Sequence, residues 1–328
     1  MSDVDEFEWI ERALKPLAAG APEAFGLADD AAAIPTRPGF DLIISKDAIV
    51  EGVHFLVSDS PKDVARKLLR VNLSDLAAKG AEPYGYFLAV SWPPRFGWAE
   101  RERFVDGLRD DQQRFGLSLL GGDTTATPGP LTASVTILGW TPAGRMVRRA
   151  GARAGDILLV SGTIGDGALG LKAATAALSG LATADAAWLL DRYRLPQPRF
   201  ELLHALRSHA HAATDVSDGL IADAGHIATA SGLGFEIDLD RLPLSPAASA
   251  WLAAQTDQAA ARAALATGGD DYEIVCAAAP DAAEAFIAAA GEADLALTPV
   301  GRLVEGAGAR VLAEGRVLDV GRGGFAHR

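Results

Sequence analysis

The sequence predicts an α/β protein built as two domains. The chain has 328 residues, enough for two ordinary domains with sizeable cores. Apolar runs of strand length alternate with longer stretches that repeat at helical spacing. After a turn-rich stretch near residues 141–152 the alternation starts again, which divides the chain into residues 1–147 and 148–328. Hydrophobic residues at 49%, much of it alanine, and charged residues at 22% fit a soluble globular chain rather than a disordered one.

In the first half, Phe7, Ile10 and Leu14 recur at helical spacing, predicting a helix from Asp5 to Leu17 with Pro16 near its end. DLIIS, Asp41 to Ser45, reads as a strand, and Ile49 to Phe55 as another. Pro61 to Gly80 reads as a helix, with Asp63 in its first turn and Val64, Leu68, Val71 and Leu76 on its apolar face. Tyr84 to Trp92 is a buried strand stopped by Pro93-Pro94. Ala99 to Phe115 is an amphipathic helix, Leu117 to Leu120 runs into GGDTT, and Leu131 to Trp140 is a further strand.

In the second half, ILLVS (Ile157 to Ser161) is a strand and Ala168 to Gly180 an alanine-rich helix. Tyr193 to Arg199 reads as a proline-stiffened link into a helix from Phe200 to His211. DVSDGL opens a helix running to Ala230. Phe235 to Leu239 is a strand and Ser245 to Ala266 helical. Tyr272 to Ala277 and Ala296 to Gly301 are strands around a helix from Asp281 to Ala290.

The net charge of −13, from 30 Lys and Arg against 43 Asp and Glu, argues against a nucleic-acid partner, which needs a basic footprint. The single cysteine, Cys276, permits no internal disulfide and lies in an apolar run, so a buried structural thiol is expected. The acidic start MSDVDEFEWIERALK does not resemble a signal peptide. No run of about 18 uncharged apolar residues offers a membrane span. The cytoplasm is the expected compartment.

The chemistry concentrates in acidic clusters beside apolar or glycine-rich sequence. They are ADD (Ala28 to Asp30), SKD (Ser45 to Asp47), NLSD (Asn72 to Asp75), GGDTT (Gly121 to Thr125), DVSDG (Asp215 to Gly219) and GGDD (Gly268 to Asp271). Buried carboxylates are costly unless paired or bound to metal. Many of them at small-residue turns suggest hard divalent cations holding a polyphosphate. Each cluster alone also has a plainer explanation. Asp29 and Asp30 can form an Asx turn, Asp123 can cap a turn, and Asp215 and Asp218 can cap a helix. Asp75 could be a buried acid held by an arginine, although its place beside Asn72 between Leu73 and Leu76 makes metal ligation the better reading. His54 beside Gly52 is open to substrate contact or to packing. Arg148 and Arg149 are candidates for phosphate contact or a solvated basic turn. His204, His209 and His211 read as surface residues of one helix. The Walker motif, the kinase HRD and DFG motifs, HExxH and CxxC are all absent.

In order, ADDAA, SKDAIVEGVHF, NLSDLAAKGAEP, GGDTT, RRAGARAGD, GTIGDGALGL, DVSDGL, GGDDYEI and the terminal GGFAH resemble the thiamine-monophosphate kinases. The likeness spans residues 26 to 327. That resemblance implies the two-domain fold of the aminoimidazole ribonucleotide synthetase-like superfamily, with an N-terminal domain that dimerises through a β-barrel and a C-terminal α/β domain. It also implies ATP-dependent phosphorylation of thiamine monophosphate to the diphosphate by a homodimer, with several Mg²⁺ ions and room for a monovalent cation. By matching motif positions, Asp30, Ser45, Asp47, Asp75, Asp123, Asp215 and Asp218 would bind Mg²⁺. Gly122, Asp123, Arg149 and Ser217 would face ATP, and His54, Asp270 and Phe325 would face thiamine monophosphate. Asp47, Asp75 and Asp123 form the expected metal core, with Asp215 and Asp218 as the second domain's share.

The chain departs from the family pattern at Lys46, where Thr is common, at Ala28, where Gly is common, and at Asp270, where Glu is common. Lys46 is expected to offset carboxylate charge near the metals. The acceptor is a phosphate already ionised near neutral pH, so no strong general base is required. Direct transfer without a phosphoenzyme follows. Two other readings compete: another ATP-dependent synthetase of the superfamily, and a non-catalytic nucleotide- or Mg²⁺-binding protein.

Overall fold

A computed structural model describes residues 5–321, 323 and 324. Its chain contacts separate two compact units, one of Met1–Leu76 with Ala81–Gly144, the other of Ala77–Gly80 with Arg145–Arg328.

The first unit opens on α1 (Glu6–Trp9), capped by Asp5, which continues through a π-turn and a 3-10 turn to Ala18. Then follow β1 (Phe40–Val50), α2 (Pro61–Ala78, whose last two residues belong to the second unit), β2 (Glu82–Trp92), α3 (Trp98–Phe115), β3 (Ser118–Ala126) and β4 (Thr132–Pro142). Ser60 caps α2, its hydroxyl accepting from the Asp63 N–H at 3.1 Å. Gly116 ends α3 in the left-handed conformation. The strands form one sheet in the order β1-β4-β2-β3, all antiparallel neighbours except β2 and β3. Leu68, Leu69, Leu76, Phe104 and Leu108 are buried on α2 and α3. The two helices share a buried ion pair, with Arg70 Nε 2.6 Å from Asp111 Oδ2.

Where two strands were expected, β1 is one strand of eleven residues. The polar SKD in its middle broke the apolar pattern without breaking the strand, because β1 is a sheet edge and tolerates exposed positions. GGDTT lies inside β3 and is not a turn. The β2–β3 register shifts between Tyr86 and Phe87, whose partners are Leu119 and Gly121, so Leu120 is the extra residue of a bulge.

The second unit contains β5 (Ile157–Ser161), α4 (Asp166–Ala174), α5 (Thr183–Arg194), α6 (Leu203–His209), β6 (Ala210–Asp215), α7 (Leu220–Ala230), β7 (Gly234–Asp238), α8 (Pro246–Ala253), α9 (Gln258–Ala266), β8 (Ile274–Ala278), α10 (Ala283–Glu292), β9 (Leu297–Val304), β10 (Gly308–Ala313) and β11 (Arg316–Leu318). Seven strands form a mixed sheet in the order β11-β10-β7-β9-β5-β8-β6. Strand β5 is buried on both faces. Leu158 and Val160 join one apolar cluster and Leu159 the other, which is why ILLVS shows no polar alternation.

Three expectations are corrected here. Helix α5 occupies residues to which the sequence assigned no element and runs into the first two residues, Tyr193 and Arg194, of the expected link. The stretch 245–266 is two helices, because Asp257 caps a new one by accepting from the Ala260 N–H. His211 lies in β6 and not on a helix, with Nδ1 2.8 Å from Asp156 Oδ2, and His209 stacks on Phe286. Among the described residues, no helix is long and apolar enough to cross a membrane.

Candidate active site

In the first unit, β1 and α2 assemble one acidic group. Ser45 Oγ donates to Asp75 Oδ2 at 2.5 Å. The Asp47 N–H donates to Asn72 Oδ1 at 2.9 Å, and Asn72 Nδ2 donates to the Leu68 carbonyl at 2.8 Å. Asn72 is fully buried and satisfies an N–H of the edge strand that has no neighbour on that side. Asp75 is therefore held by a serine and not by an arginine; Arg70, one turn earlier, is committed to Asp111. Ser45 and Asp47 share one face of β1, and Lys46 points from the other. The expectation that Lys46 offsets these carboxylates directly is not met by that geometry.

His54 is held in the tight turn after β1. Its Nδ1 accepts from the Val50 N–H at 3.0 Å, which leaves Nε2 as the proton-bearing nitrogen of the neutral ring. Lys67 Nζ donates to the His54 carbonyl at 3.0 Å from a nearly buried side chain.

Asp123 does not join Asp47 and Asp75 within the sheet. Asp47 pairs with Val135 on β1, and Asp123 pairs with Ala89 on β3. These are the two edge strands, three strand spacings apart, or about 14 Å. Asp123 instead lines a cleft of about 400 Å³ with Asp29, Asp30, Gly122, Ile10 and Phe87. Gly122 is required there, since a Cβ would lie 1.8 Å from the Leu88 carbonyl oxygen.

In the second unit, the DVSDG and GGDDY segments lie side by side. The Asp270 N–H donates to the Ser217 carbonyl at 2.9 Å, the Tyr272 N–H to the Val216 carbonyl at 2.8 Å, and the Val216 N–H to the Glu273 carbonyl at 2.7 Å. Arg149 reaches the same strand end, its Nε donating to Thr214 Oγ1 at 3.1 Å. Arg149, Asp215, Ser217, Asp218 and Asp270 are thus brought together. Phe325 lies outside the described residues; Gly324 packs so closely that a Cβ would lie 2.5 Å from the Asp218 carbonyl oxygen.

Asp223 is a site residue that the sequence reading missed. From the first turn of α7 its Oδ2 accepts from the N–H groups of Asp218 and Gly219 at 3.1 and 3.2 Å. Ligand atoms of Asp218, Asp223 and His226 lie within 4.8 Å of one another. Burial first, then the charges of Asp215 and Asp218, push the Asp223 carboxyl up to about 8 against its two backbone hydrogen bonds. A helical reading from Asp218 would have brought Asp223 back over the turn. Glu273 was also missed. Fully buried, it faces Arg192 and Arg199 and accepts from Ser161 Oγ at 2.7 Å. Asp271, which the sequence left without a role, accepts from the N–H groups of Gly165 and Gly167 at 2.7 and 2.9 Å, and burial holds its carboxyl well above the usual range.

Two loops of carboxylates and glycine backbone, with Arg149 beside them, form a candidate site in the second unit of a two-unit α/β chain. The family model for AIR synthase related protein, N-terminal domain, matches residues 28–141, and that for the C-terminal domain matches residues 153–314. The chain belongs to this family, and within it to the thiamine-monophosphate kinases. It is 55% identical over 322 residues to the thiamine-monophosphate kinase of Caulobacter vibrioides, covering 98% of this chain and 90% of that one. The solved thiamine-monophosphate kinase of Stenotrophomonas maltophilia K279a is 39% identical, with TM-score 0.82, and covers 96% of this chain and 98% of its own. A solved structure of AaThiL complexed with AMPPCP and TMP is 27% identical, with TM-score 0.75 and 97% and 98% coverage.

Proposed function

We propose that this protein transfers the γ-phosphoryl group of ATP to thiamine monophosphate, giving thiamine diphosphate and ADP. The observation that carries this is the docking of DVSDG against GGDDY, which sets a carboxylate pair, a serine and Arg149 beside Asp270. The nucleotide is assigned to Gly122, Asp123, Arg149 and Ser217, and the cleft beside Gly122 has the size of a ligand pocket. Thiamine monophosphate is assigned to His54, Asp270 and Phe325. His54 would offer its Nε2–H, and Asp270 would lie near the thiazolium cation.

The donor set fits Mg²⁺. Asp30, Ser45, Asp47, Asp75, Asp123, Asp215 and Asp218 supply only hard oxygen atoms, and the charges crowding Asp223 are what a cation relieves. Bound Mg²⁺ would neutralise the two phosphate anions as they approach. The chain's own residues align the substrates: the Gly122 backbone permits close approach, Arg149 offers a planar guanidinium, and the tightly turned VEGVHF segment fixes His54.

A cytoplasmic homodimer is part of the same reading. Asp47 and Asp123 occupy opposite sheet edges, and Ile44 is 59% exposed on β1. Closure of two sheets into a barrel would cover that face and bring unlike edges together. The test is purified protein with ATP, Mg²⁺ and thiamine monophosphate, with thiamine diphosphate measured by chromatography. Thiamine serves as the control acceptor; product from thiamine and none from its monophosphate overturns the assignment.

A further inference from the structure

Asp270 and Tyr272 both lie in the left-handed region, with φ of 69° and 51°. Aspartate tolerates that region and tyrosine does so poorly, so two such residues within three positions persist only where the surroundings hold them. The side chains alternating with them supply that hold. Asp271 is 1% exposed and its two carboxylate oxygens each take one backbone N–H, from Gly165 and Gly167. Its carbonyl accepts from Arg192 Nη2 at 3.2 Å, and the same guanidinium group meets Glu273 at 2.9 Å. The clamp reaches Asp270 closely, because a Cβ on Gly167 would lie 2.3 Å from the Asp270 carbonyl oxygen. The 162–167 turn and the 270–272 segment are therefore fastened through one buried carboxylate.

We propose that Asp271 is a positioning residue for the acceptor substrate: it pins the strained 270–272 backbone and thereby fixes where the Asp270 carboxylate meets thiamine monophosphate. This rests on the assignment of Asp270 to that substrate. Asp271→Asn keeps the shape but replaces one acceptor with an N–H₂ group that faces a backbone N–H. It should raise KM for thiamine monophosphate about tenfold or more, while KM for ATP stays within about twofold. Gly167→Ala displaces the Asp270 peptide and leaves the Asp271 carboxylate intact, so it should give the same split and serves if the first variant does not fold. Asp270→Ala, assayed beside them, separates the two ideas. If it raises KM for thiamine monophosphate and Asp271→Asn and Gly167→Ala do not, the positioning role is wrong and the Asp270 assignment stands. If it leaves that KM unchanged, the Asp270 assignment fails and this inference with it. Equal rises in both KM values for the Asp271 and Gly167 variants would mark a merely structural role and overturn the proposal.

Discussion

Glu273→Gln tests how the GGDDYEI segment is anchored. The carboxylate is fully buried, and two guanidinium groups meet it from side chains 7% and 18% exposed. It also accepts from Ser161 Oγ, whose own oxygen takes the Ile274 N–H at 2.8 Å. Glutamine preserves the volume and one acceptor, but leaves Arg192 and Arg199 without their counter-charge. Removing one partner of a buried pair costs about 3–5 kcal/mol, because the remaining charge is left uncompensated. For a domain of about 150–250 residues each kcal/mol moves Tm by roughly 2–4 °C, so a fall of roughly 6–20 °C is expected. Differential scanning calorimetry would register it in the transition of the second unit, and urea unfolding would give the free energy. A fall of under about 2 °C would refute the reasoning and mean that water or local rearrangement compensates the arginines.

Gly122→Ala should abolish ATP binding, since a Cβ 1.8 Å from the Leu88 carbonyl oxygen forces β3 away from β2; titration calorimetry showing wild-type affinity would contradict this. Burial pushes the Cys276 thiol well above its ordinary range, so native protein should resist alkylation and react stoichiometrically once unfolded, as mass spectrometry would show. Burial also raises Asp166 above its ordinary 3.8, against hydrogen bonds from Ser245 and Thr163. The unfolded state then ionises first as pH rises. The Asp166 contribution is fully present at low pH and is lost as pH climbs through the raised folded value. Asp166→Asn should flatten the fall in urea stability as pH rises above roughly 4, and an unchanged slope would count against it.

Much of this molecule was legible in its residues. Strands such as ILLVS and YGYFLAVSW show themselves because burial on the sheet leaves long apolar runs. The helix after Ser60 shows itself through Asp63 in its first turn and apolar residues at helical spacing. AHAATD did not read as a strand, because alanine has little strand preference and only pairing with β8 fixes it. The acidic motifs drew attention to Asp47, Asp75 and Asp123, but the sheet order was needed to separate Asp123 from the other two. Nothing local to GGDTT says that β3 lies at the opposite edge from β1. Asp223, Asp271 and Glu273 were obscured for a similar reason: their partners are a turn of helix away or more than seventy residues distant.

The most direct measurement uses ATP labelled in its γ-phosphate, with Mg²⁺, thiamine monophosphate and wild-type protein. Label is expected in the terminal phosphate of thiamine diphosphate, formed one for one with ADP, with none retained on the protein. Label released as inorganic phosphate whether or not thiamine monophosphate is present, or held on a protein side chain during turnover, would contradict it.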